Sequence, residues 1–100
     1  MSTYRLGERA ESDLAAIIDY TVDTWGEEQA VKYLVELTTC FELLIATPYL
    51  GRACDALSPG LRRITQGKHV IFYRVADSDI LISRILHQSY LPRRHSFSDI

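Results

Sequence analysis

From Gly60 to His87 the chain reads as three short runs rich in β-branched and aromatic residues, separated by small polar clusters. Leu61 to Thr65 ends at Gln66-Gly67, Lys68 to Val75 ends at Ala76-Asp77-Ser78-Asp79, and Ile80 to His87 follows. That pattern predicts three consecutive antiparallel strands joined by tight turns. Upstream the apolar period lengthens. Ala10, Leu14, Ile17, Ile18, Thr21 and Trp25 share one face at helical spacing, with Glu8 and Glu11 in the favoured acidic first turn and Gly26 as the stop. A second helix is predicted to begin at once, with Gln29 as a capping-box partner. Its apolar stripe is Ala30, Leu34, Leu37, Phe41 and Leu44, flanked by Tyr33 and Cys40, and Pro48 ends it by Thr47.

With almost no linker, the two helices must fold back as an antiparallel hairpin. Thr3 to Leu6 alternates as a short edge strand, and residues 48–60 read as an irregular Gly/Pro-rich connector. The predicted order is β-α-α-β-β-β. This is an α+β fold with the N-terminal helical hairpin packed on one face of an antiparallel sheet. One domain is expected over residues 1–90, followed by a basic, partly flexible tail over 91–100.

Composition adds a polarity to this picture. The 100 residues carry a formal net charge of −2, but residues 1–50 hold three basic against nine acidic side chains and residues 51–100 hold eight against four. A protein living on phosphate contacts usually carries a basic excess, so direct sequence-specific nucleic-acid binding is not expected. No apolar run approaches the length of a membrane span and the N-terminus lacks the apolar core of a signal peptide. Cys40 and Cys54 form no CxxC and no disulfide framework, so a reduced, cytoplasmic setting is expected.

Candidate chemistry is sparse. His69, His87 and His95 are isolated and distant in sequence from the cysteines, so no metal and no cofactor is expected. The pairs Glu27-Glu28 and Asp77/Asp79 read as a helix first turn and a hairpin turn. The arginines carry more information. Strict alternation places Arg84 with Ile80, Ile82 and Leu86, and Arg74 with Val70 and Phe72. A guanidinium among apolar neighbours needs a partner. For these two, an internal ion pair with Asp13 or Asp19 and a partner-facing sheet surface both remain open. His87 ends its strand as a structural hydrogen-bonder or a proton-transfer group. Tyr73 and Tyr90 read as packing residues, Trp25 as core and Arg93-Arg94 as a solvated basic tail.

Together, Ala10, Asp13-Leu14, Ile17, Tyr20, Trp25-Gly26, Gln29-Ala30, Tyr33 and Leu37 make a pattern that resembles the ParE toxins of bacterial toxin–antitoxin modules. The second half resembles them more closely, through Pro48, Gly51-Arg52, Gly60 to Arg63, Gly67, His69 to Val75 and Arg84 to Gln88. The resemblance spans roughly residues 4–90. It implies a two-helix hairpin on an antiparallel sheet, and a non-catalytic toxin that poisons DNA gyrase and blocks replication. It also implies a cognate ParD-type antitoxin in a hetero-oligomer, wrapping the toxin with an amphipathic helix and an added strand. Ser89-Tyr90 stands where many relatives carry Met-Asp. On this reading the partner surface comprises Arg62, Arg63, Arg74, Arg84, His87, Tyr90, Arg93 and Arg94. The alternative within the superfamily is a ribosome-dependent mRNA endonuclease of RelE or YoeB type, with Arg63, Arg84 and His87 catalytic. For it, Gln88 replaces the expected tyrosine and only Asp55 offers an upstream carboxylate. A second alternative is a non-toxic remnant that retains antitoxin binding alone.

Overall fold

A computed structural model describes residues 2–90 of the chain. Strand β1 (Tyr4–Leu6) leads into helices α1 (Glu8–Trp25) and α2 (Glu27–Ala46), followed by strands β2 (Arg52–Ala53), β3 (Arg62–Gln66), β4 (His69–Ala76) and β5 (Asp79–His87). A short 3-10 turn (Gln88–Tyr90) follows β5. The sheet order is β1-β5-β4-β3-β2. The expected α+β arrangement of a helical hairpin on a sheet is present, with two refinements. β1 runs parallel to β5, pairing Tyr4 with Ile80 and Leu6 with Ile82, so the sheet is mixed. Three alternating residues carry no signal of strand direction. The connector also contains β2, which pairs Arg52 with Arg63 and Ala53 with Arg62. Two residues are too few to show a period of two.

The hairpins follow their turn chemistry. Gly67 and Asp77 both adopt positive φ (60° and 58°), the backbone hand that lets a tight turn match the twist of its flanking strands. Gly26 is both the last cap of α1 and the first of α2, with φ 93°, and its N–H bonds the Val22 carbonyl at 2.9 Å. The expected capping box at Gln29 does not form, because α2 has no side-chain cap. A box needs a hydroxyl at the position that Gly26 occupies.

The core between the helices and the sheet is built from Ala10, Leu37, Phe41 and Leu44 against Ile71, Tyr73, Ile80, Ile82 and Ile85. Trp25 departs from its predicted core position and is 69% exposed. It is the last residue of α1, beyond the turn at which Thr21 is still buried. The opposite sheet face carries a second cluster of Leu61, Val70, Phe72 and Leu86, covered by Cys54 and Leu57 of the connector.

Tyr73 ties the connector down. Its hydroxyl donates to the Pro48 carbonyl at 2.8 Å and accepts the Gly51 N–H at 2.8 Å. A Cβ at position 51 would lie 2.5 Å from that oxygen and 2.8 Å from the Arg63 carbonyl, so only glycine fits. Burial raises the Tyr73 pKa and keeps it a donor. Tyr73→Phe leaves the buried Gly51 N–H without its acceptor, at a cost of about 1–3 kcal/mol. Urea unfolding should show that loss, and an unchanged midpoint would contradict this role.

Candidate functional site

The strand registers place four side chains in one lateral row across the sheet. Arg52 of β2 opposes Arg63 of β3, Arg63 opposes Phe72 of β4, and Phe72 opposes Arg84 of β5. The last pairing depends on a β-bulge. Phe72 pairs with Arg84 while Tyr73 pairs with Ile82, which leaves Ser83 as the extra residue. A bulge reverses the alternation beyond it. Arg84 therefore does not share a face with Ile80 and Ile82, as strict alternation predicts. Those two isoleucines join the helix-side core, whereas Leu86 joins the opposite cluster with Val70 and Phe72.

Each arginine has its own setting. Arg84 Nε and Nη2 donate to the Asp13 carboxylate at 2.8 and 3.0 Å. The same carboxylate accepts the Ile85 N–H at 3.0 Å, so it also satisfies a backbone donor of β5. The internal ion pair, one of the two open readings for Arg84, is thus formed, and with Asp13 instead of Asp19. Arg74 Nη2 donates to the Ser58 hydroxyl in the connector. Arg62 lies with its guanidinium 5.0 Å from the centre of the Tyr49 ring, and its Nε is buried without a hydrogen-bond partner among the described residues. Arg63 lies close enough to Cys54 to favour the thiolate, although burial dominates and pushes that thiol up.

His87 stands at the end of the β4–β5 ladder where β4 begins, directly opposite His69. The rings meet edge-on with centroids 5.4 Å apart. His87 Nδ1 accepts the Ser89 N–H at 3.1 Å and lies 2.7 Å from the Ser89 hydroxyl. His69 Nδ1 is 2.5 Å from the Tyr33 hydroxyl, which also reaches the Gln66 carbonyl at 3.1 Å. That hydroxyl has one proton. If it goes to Gln66, His69 Nδ1 must carry a hydrogen and donate to the tyrosine oxygen. These groups line an open groove of about 540 Å³ that also exposes Tyr20 and Trp25. Among the described residues, no group of three His, Cys, Asp or Glu side chains is placed to hold a metal ion. No helix among them is long and apolar enough to cross a membrane.

Of the sequence-predicted partner residues, the fold brings Arg63 and Arg84 into one row and puts Arg74 on the Phe72 face. It separates His87 from them, and Arg62 turns to Tyr49 beside Tyr73. The 3-10 turn includes Tyr90, while Arg93 and Arg94 lie outside the described residues. Sequence reasoning did not single out Arg52 or the Tyr33–His69 contact. Arg52 lay in an apparent loop, and the contact joins residues 36 positions apart.

Residues 4–92 match the family described as the ParE toxin of type II toxin-antitoxin systems, parDE. The chain is 43% identical over 88 residues to Toxin ParE1 of Mycobacterium tuberculosis (strain H37Rv), covering 87% of this chain and 90% of that one. It is 42% identical over 95 residues to Toxin ParE1 of Caulobacter vibrioides, covering 95% and 98%. Among solved structures, a chain of the chromosomal ParDE TA system from P. aeruginosa superposes with a TM-score of 0.72 at 30% identity. That match covers 87% of this chain and 95% of the other.

The histidine pair makes a pH prediction. Burial, and then the neighbouring His87, lower the His69 pKa below its ordinary 6.5. The unfolded chain therefore binds more protons than the folded one as pH falls through that value. The His69 contribution to stability is complete above about pH 6.5 and is lost below it. Denaturant midpoints should fall between pH 7.5 and 5, and His69→Gln should remove part of that fall. A slope identical in both proteins would contradict the assignment.

Proposed function

The chain belongs to the ParE toxin family of type II toxin–antitoxin systems, and from that premise we propose that it arrests growth by binding DNA gyrase and trapping cleaved DNA. A cognate ParD-type antitoxin neutralises it in a cytoplasmic hetero-oligomer. The observation that carries the antitoxin reading is the shared fold with a chain of a ParDE system. Contact with the partners is by protein–protein binding, without a catalytic group of the toxin. Its surface comprises Arg62, Arg63, Arg74 and His87, with the tail residues Tyr90, Arg93 and Arg94. Arg84 supports that surface from its ion pair with Asp13.

Two features favour this reading over the mRNA endonuclease. A phosphoryl-transfer site needs a base, an acid and cations converging on one phosphate. Arg63 lies opposite Phe72 and His87 opposite His69, three residues earlier in β4 and so about 10 Å away along the strand. The Asp55 carboxylate accepts the Gly60 N–H at 2.8 Å and closes the connector loop.

Purified, antitoxin-free chain added to gyrase and relaxed plasmid should block supercoiling and leave linear DNA after detergent and protease. Full supercoiling activity, together with ribosome-dependent message cleavage lost in His87→Ala, would overturn the proposal in favour of the nuclease.

A further inference from the structure

We propose that the depression where β2 begins beside β3 is a binding site for an acidic–apolar peptide segment, with Arg52 and Arg63 gripping its carboxylate. The site has a volume of about 410 Å³. Arg52 and Arg63 are direct cross-strand partners, an arrangement in which like charges repel. Neither arginine forms an ion pair with a described residue. Thr65 and Gln88 also line the depression, and no described carboxylate does. Two cations and two neutral polar residues therefore line a space without a counter-charge among the described residues. A bound carboxylate lying between the guanidinium forks would turn the repulsion into bidentate attraction.

The rest of the lining selects the kind of anion. Leu50 and Val70 form apolar walls in the same depression. A bare phosphate leaves such walls unused, whereas a peptide with apolar residues next to its acids fills them. The net charge of −2 likewise gives little long-range attraction for a polyanionic nucleic acid. Approach is open, since β2 begins only at Arg52 and accompanies β3 only at Arg62 and Arg63. The inference extends the protein-binding reading to a named site, but it does not depend on gyrase as the target.

The test uses the full chain with three probes: a blocked Leu-Glu repeat hexapeptide, its Leu-Gln counterpart and an oligothymidylate. Amide chemical shifts should move around residues 50–52 and 63–65 with the acidic peptide. Arg52→Gln, or replacement of the acidic peptide by the glutamine peptide, should weaken binding at least tenfold. The free Arg52→Gln protein should also melt about 1–4 °C higher, since a repulsion is removed. Silence with every peptide would overturn the proposal, as would an oligothymidylate that shifts the same amides more strongly than the acidic peptide. A lower melting temperature for Arg52→Gln would overturn its electrostatic premise. A chain that leaves gyrase untouched but still takes the acidic peptide would lose the target and keep the site.

Discussion

The Asp13 carboxylate is the contact on which the architecture turns. It accepts two hydrogen bonds from the Arg84 guanidinium and one from the Ile85 amide, and so joins α1 to β5 just past the bulge. β1 pairs with β5 only as far as Ile82, so beyond that point no strand among the described residues lies beside this edge. A carboxylate from α1 takes over where β1 stops. With Asp13 and Arg84 only 15% and 22% exposed, losing either partner would strand a half-buried charge.

This contact also divides the arginine row. Arg84 at one end is held by an acid of the fold, while Arg52 and Arg63 at the other end face each other without one among the described residues. Phe72, which lies between Arg63 and Arg84 in the row, is buried and keeps the β4 position between them apolar. The same residue type therefore serves two ends: one arginine fastens the helical hairpin to the sheet, and a pair remains available to a ligand.

Much of the fold was legible because its signals are local. Helical spacing, the glycine between the helices and the polar turns of the meander each act within a few residues. The misses share a different cause. Strict alternation misplaced Arg84 because the bulge at Ser83 exists only in the pairing of β4 with β5. Trp25 continued the helical stripe in sequence, although the helix ends at that residue and its side chain lies in solvent. β2 is held by the phenol of Tyr73, which bonds residues more than twenty positions earlier, and no local pattern encodes that. The Arg52–Arg63 pair was hidden for the same reason. Its partners could be named only once the short strand was placed.

The most direct test sets Arg84→Ala beside Arg63→Ala, scoring thermal melting of the purified chains and growth arrest on expression without antitoxin. Arg84→Ala should melt lower by roughly 6–24 °C, as expected for a loss of about 1.5–3 kcal/mol in a domain of this size. Arg63→Ala should melt within a few degrees of the parent and lose arrest. An Arg84→Ala chain that melts like the parent, or an Arg63→Ala chain that keeps full arrest, would contradict the division of labour between the two arginines.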